Sequence, residues 1–135
     1  MTNLIVANFK MHGTNAFIEN WFADFTKNKD ISKNVIIALP ATHIAAFRDY
    51  GLVLSGQNVS ASESGAFTSQ ISAKMLKDSG ADYCIIGHSE AREQLSESNK
   101  SIKEKYEQLK NIQMSPIVCV GESLHQLQQQ ETFQH

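Results

Sequence analysis

Five short apolar runs, most of them followed by a stretch of helical periodicity, dominate this 135-residue chain. They are Leu4–Lys10, Val35–Leu39, Leu52–Asn58, Tyr83–Ile86 and Pro116–Val120. Their spacing is near the roughly 30 residues of a strand–helix–strand unit. Alternation of this kind specifies an α/β protein with a parallel sheet, joined by right-handed crossovers. Runs as continuously apolar as Val35-Ile36-Ile37-Ala38-Leu39 suit strands covered on both faces. No linker, low-complexity tract or change of composition divides the chain, so residues 1–135 read as part of a single domain.

Between the strands, Phe17, Ile18, Trp21, Phe22 and Phe25 recur at helical spacing and form one apolar face. Thr42 is placed to cap a short helix over Ile44–Phe47 that ends before Gly51. Ile71–Ser79 is helical up to Gly80, and Ser98–Ile112 is amphipathic, with Ile102, Tyr106, Leu109 and Ile112 on one stripe. Gly121-Glu122-Ser123 turns into a glutamine-rich final helix. The long polar loop from Val59 to Ser69 is of a length usually reserved for function or contacts.

A net charge of −2 and a pI near 6.2 give no reason to expect nucleic acid or an anionic membrane as partner. No apolar run approaches the length of a membrane span. Met1-Thr2-Asn3 leads directly into a strand-like run rather than a signal peptide. Cys84 and Cys119 both lie in apolar runs and read as buried reduced thiols, which suits a cytoplasmic protein. Neither a metal nor a cofactor is expected.

Polar residues collect where the strands end: Asn8 and Lys10, Gln57 and Asn58, His88, and Glu122. In parallel α/β sheets these ends share one face, and ligands bind there. Within Ile85-Ile86-Gly87-His88-Ser89-Glu90-Ala91-Arg92, Gly87 allows a tight exit from the strand, and Ser89-Glu90 suits the start of a helix. His88 would then stand at the positive end of a helix, which disfavours the imidazolium and leaves a neutral, hydrogen-bond-donating ring. The plain readings of the same residues are a hydrogen-bonded loop histidine, a solvated Lys10, and a Glu90 favoured by the helix dipole.

Four motifs in order resemble the triosephosphate isomerase family. They are Ala7-Asn8-Phe9-Lys10-Met11, with Phe9 where tryptophan is usual; Gly56-Gln57-Asn58 with Gly65-Ala66-Phe67-Thr68; Ile86-Gly87-His88-Ser89-Glu90; and Cys119-Val120-Gly121-Glu122. The resemblance implies a (β/α)8 TIM barrel, of which roughly the first five strands and four to five helices are present. It implies an aldose–ketose isomerase acting on a small phosphorylated triose through an enediolate, without a cofactor. His88 and Lys10 would be catalytic, Asn8 and Lys10 substrate-binding, and Ser89 and Glu90 supporting. Thr68 would lie in a loop reaching into the partner of a homodimer. The neutral catalytic histidine is this family's own established case and is carried over with the resemblance.

Departures from the pattern are Ala91, where a first arginine is usual, and Ser69-Gln70 after Thr68. A complete barrel takes about 250 residues. The segment that would carry the general-base glutamate, its lid and the phosphate loops has no counterpart here, so the isolated chain is expected to be inactive. The alternatives are a non-catalytic half-barrel that associates with another chain, and an open α/β binding module. The last explains the alternation but not the four motifs.

Overall fold

A computed structural model describes residues 4–27 and 34–122. The strands are β1 (Ile5–Asn8), β2 (Val35–Ala38), β3 (Val53–Gly56), β4 (Tyr83–Ile86) and β5 (Ser115–Val118). The helices are α1 (Asn15–Phe25), α2 (Ala41–Phe47), α3 (Ala73–Asp78), α4 (Ser89–Gln94) and α5 (Asn99–Asn111); a 3₁₀ turn, Arg48–Tyr50, extends α2. The strands form one parallel sheet in the order β1-β2-β3-β4-β5. Ile5 stands opposite Val35, Ile37 opposite Leu54, Ser55 opposite Tyr83 and Ile85 opposite Ile117. Sequential order with every pair parallel is the order of a barrel wall, and it brings all five C-terminal strand ends to one rim.

Burial follows position in the sheet. All of β2 is buried, and β3 and β4 are buried apart from their first residues. Among the described residues, β1 and β5 each have a strand on one side only, and Leu4, Ile5, Val6, Val118 and Val120 are exposed. The core joins Ile37, Leu39, Leu54, Cys84 and Ile86 of the sheet region to Ile18 and Phe22 of α1, Phe47 of α2, Leu76 of α3 and Leu109 of α5. Each such large side chain contributes roughly 1.5–3 kcal/mol through removal from water. Phe22 meets Phe47 edge-on at 5.1 Å. Trp21 packs edge-on to Phe9 at 5.1 Å and stacks on Phe25 at 4.8 Å.

Hydroxyl caps set three helix starts. Thr14 accepts the amide of Phe17, Ser72 that of Met75, and Ser98 that of Ser101. Thr42 does not cap α2: the helix already begins at Ala41 behind Pro40, and the Thr42 hydroxyl pairs instead with His43 Nδ1 at 2.8 Å. Pro40 itself occupies the N-cap position, where it has no side-chain oxygen to offer, and its carbonyl accepts the His43 amide at 2.9 Å. On α5 the buried residues are Ile102, Lys105 and Leu109, whereas Tyr106 is exposed. Helical rows run at both three and four residues, and a lysine with a buried partner takes the place expected of the tyrosine. Cys119 and Val120 lie beyond β5; Cys119 is only half-buried and Val120 is largely exposed, contrary to a core position for that thiol. The glutamine-rich helix expected from Ser123 lies outside the described residues.

Candidate active site

The end of β1 turns sharply. Lys10 holds φ of +52°, a left-handed conformation that an L-residue with a long side chain rarely adopts. Such backbone costs roughly 1–3 kcal/mol and persists only where neighbours over-determine it. Here they do. The Lys10 amide donates to Asn8 Oδ1 at 3.0 Å, closing a turn two residues long. Gln57, beyond the end of β3, donates its side-chain amide to the Lys10 carbonyl at 2.8 Å, to Asn8 Oδ1 at 3.2 Å and to the Ala38 carbonyl at 3.3 Å. Three acceptors around one nitrogen fix the amide's orientation. The ends of β1, β2 and β3 are thereby stapled together.

From that turn the Lys10 ammonium donates to Glu90 Oε1 at 2.7 Å, with both side chains about half exposed. The hydrogen bond and charge of Lys10 hold the Glu90 carboxyl below its ordinary value. Glu90 belongs to the first turn of α4, and the residue that caps this helix is His88 rather than Ser89. His88 Nδ1 accepts the Glu90 amide at 3.3 Å. A ring nitrogen that accepts a backbone N–H carries no proton of its own, so the neutral tautomer bears its hydrogen on Nε2. The 3.5 Å approach of Glu90 Oε2 to the same Nδ1 is then a contact between two acceptors rather than an ion pair. Lys10 and His88 thus stand at one end of the sheet, each tied to Glu90.

Gly87, with φ of +68°, makes the exit from β4, and a side chain there would press on Arg92 and Ile102. Arg92 fastens this exit: Nε donates to the Gly87 carbonyl at 2.8 Å, one terminal nitrogen to Asn99 Oδ1 at 2.7 Å and the other to the Cys119 carbonyl at 3.2 Å. Arg92 alone, beside Ala91, thus anchors the fourth loop to the start of α5 and to the residue after β5 through neutral oxygens. A cleft of about 670 Å³ opens alongside, lined by Gly87, His88, Ser89, Arg92, Cys119 and Glu122. Ser89 and Glu122 share this rim with His88, and both are exposed. Among the described residues, no group of three histidine, cysteine, aspartate or glutamate side chains is placed to hold a metal ion.

The long loop after β3 is pinned at its base by Ser60, whose hydroxyl donates to Gln70 Oε1 at 2.6 Å, and Thr68, two residues before Gln70, is exposed. Beneath it, Lys105 pairs with Glu97, both almost wholly buried, and donates to Asn58 Oδ1 at 2.9 Å. Asn58 in turn donates to Glu97 Oε1 at 2.7 Å. Of these, Asn58 is visible in the sequence as a polar strand end. Gln57, Arg92 and the Glu97–Lys105 pair give no local signal of what they bind, because their partners lie far along the chain.

A model of the triosephosphate isomerase family matches residues 3–135. The triosephosphate isomerase of Prochlorococcus marinus (strain MIT 9301) is 39% identical over 136 residues, covering 96% of this chain and 56% of that protein. That of Deinococcus radiodurans is 40% identical over 129 residues, covering 92% and 53%. The crystal structure of triosephosphate isomerase from Bartonella henselae superposes with a TM-score of 0.87 at 30% identity, covering 98% of this chain and 57% of the other. The chain spans about half the length of the relatives it matches. With its five parallel strands curled into part of a barrel, the chain belongs to the triosephosphate isomerase family, of which it represents an N-terminal portion.

Proposed function

We propose that this chain supplies the electrophilic half of a triosephosphate isomerase site, interconverting dihydroxyacetone phosphate and glyceraldehyde 3-phosphate in glycolysis and gluconeogenesis. The observation that carries the reading is the convergence of Lys10 and His88 on Glu90. Proton removal beside a carbonyl creates an enediolate, whose growing negative charge must meet donors already in place. With Nδ1 occupied by the Glu90 amide, His88 directs Nε2–H toward the substrate oxygens. Lys10 contributes positive charge to the oxyanion and to the phosphate, and Asn8 holds the turn that presents it. Glu90 keeps both groups in register, and Ser89 continues the same rim.

The general base, which takes the carbon-bound proton, comes from a complementary C-terminal half, as do the lid and phosphate loops. The position of β1 and β5 at the two edges of the sheet among the described residues supports this association, since each carries exposed apolar side chains. The loop bearing Thr68 meets a second subunit in a homodimer that works in the cytoplasm. Among the described residues no helix is long and apolar enough to cross a membrane.

The test is isomerisation of glyceraldehyde 3-phosphate by the purified chain, alone and with a polypeptide supplying the last three barrel strands. Turnover is expected only in the mixture, and replacing His88 by leucine should lower it about 10²–10³-fold, as loss of an oxyanion donor does. Full turnover by the chain alone would show that the base lies within these residues. A mixture that associates but stays inert would favour a half-barrel with no catalytic role.

A further inference from the structure

We propose that Gln70 is a positioning residue of the long loop after β3, whose side-chain bond to the buried Ser60 fixes the turn that presents Thr68 to a second copy of this chain. The inference rests on the reading of Thr68 as a subunit contact. Ser60 closes the loop at its base: its amide donates to the Ile71 carbonyl at 2.8 Å, and its hydroxyl donates to Gln70 Oε1 at 2.6 Å. The same hydroxyl accepts the Ser62 amide at 3.1 Å through a lone pair, which leaves its proton for Gln70. Gln70 in turn donates its backbone amide to the Phe67 carbonyl at 3.1 Å, closing the turn Phe67-Thr68-Ser69-Gln70.

Ser69, the third residue of that turn, holds φ of +76°, a conformation that favours glycine there. An L-residue stays in it only where its surroundings over-determine it. Gln70, the next residue, is held twice, by its amide inside the turn and by its side chain on Ser60. Freed from Ser60, the turn relaxes at Ser69, and Thr68 moves with it. Ser69 and Gln70 are also where the loop departs from the family pattern, so the clasp belongs to this chain and is not carried over with the resemblance. Charge argues for the occupant. From Val59 to Ile71, Glu63 is the one charged side chain, and the exposed Leu95 lines a cleft together with Ala61, Ser69 and Gln70. A twofold contact sets the same patch of each copy against the other, where like charges would repel, so a nearly uncharged loop suits it. Such an association depends little on ionic strength.

The experiment uses the ¹⁵N-labelled chain mixed with the polypeptide that supplies the last three barrel strands. A strong intraresidue amide–Hα NOE marks positive φ, and Gln70→Ala and Ser60→Ala should each lose it at Ser69. Both should also weaken self-association of the mixture roughly tenfold in sedimentation equilibrium, the scale of ordering one or two further side chains on binding. Gln70→Glu should keep the NOE, because its carboxylate still accepts the Ser60 hydroxyl. Raising NaCl from about 0.05 to 0.5 M should change the parent's association by less than about twofold, and a steep salt dependence would refute the uncharged contact. Retention of the Ser69 NOE in Gln70→Ala would overturn the clasp. Gln70 is exposed, so this variant decides the matter even where Ser60→Ala does not fold. Loss of the NOE with unchanged association, or a parent mixture that never associates beyond one copy of each part, would overturn the presentation of Thr68 and the subunit-contact reading beneath it. Isomerase activity enters none of these readouts, so failure of the catalytic reading stays distinguishable.

Discussion

The Lys10 ammonium donates to Glu90 Oε1 across 2.7 Å, joining the end of β1 to the first turn of α4 over 80 residues of sequence. Because the pair is exposed, its value lies in geometry more than in stability. Its electrostatic trace is the depressed Glu90 carboxyl. A depressed carboxyl adds stability that is complete above the ordinary value of 4.5 and is lost as pH falls through the lower, folded-state value. Carbon-detected titration of the Glu90 carboxyl should place its midpoint below 4.5, and Lys10→Met should return it upward. An unchanged midpoint in that variant would separate the shift from Lys10.

Gly87 leaves little room for a side chain, at a φ of +68°. Alanine there would adopt a left-handed φ and place its Cβ 3.0 Å from both Arg92 Nη2 and Ile102 Cδ1, and 3.3 Å from the Cys119 carbonyl oxygen. The backbone penalty alone is roughly 1–2 kcal/mol. Urea unfolding of Gly87→Ala should show a lower midpoint at unchanged m, and crystals of the variant should show Arg92 displaced. Wild-type stability would show that the β4 exit can relax.

The buried Lys105–Glu97 pair makes an asymmetric prediction. Lys105→Met leaves a carboxylate with 8% side-chain exposure and no cation, and should cost about 3–5 kcal/mol. Lys105→Met combined with Glu97→Gln removes both charges and should lose markedly less than the two single changes added together. Additive losses in denaturant titrations would mean that the two groups are not coupled.

The thiols should differ in reactivity. Burial pushes Cys84 up to about 12, whereas Cys119 is raised by its partial burial and pulled back by Arg92. Iodoacetamide should label Cys119 well before Cys84 in the folded chain, because the thiolate is the reacting species. For Cys84 the stability contribution is fully present below the ordinary 9.0 and disappears as pH rises toward 12, since unfolding then releases a proton. Equal labelling rates under native conditions, followed by mass spectrometry, would contradict the burial of Cys84.

Much of this architecture is local in origin and therefore legible in the chain. Tyr83–Ile86 is β4 to the residue, because a run of β-branched and apolar side chains bounded by Asp82 and Gly87 has few other uses. The caps and breaks work over three or four residues: Ser98 starts α5, and Gly80, at φ of +105°, ends the α3 region. The grouping of Asn8, Lys10 and His88 on one rim followed from parallel strands, whose C-terminal ends point the same way.

Tertiary structure decided how those residues are held. The left-handed Lys10 depends on an amide 47 residues away, and Arg92 on a carbonyl 27 residues away. The choice of Lys105 over Tyr106 for the buried side of α5 depends on Glu97 and Asn58. Periodicity reports which side chains leave water; it cannot report a hydrogen bond whose two halves meet only after the strands have paired. For this chain the sequence determined the strand order, the rim and the residue types on it, while folding alone determined the strained turn and the carboxylate that joins lysine to histidine.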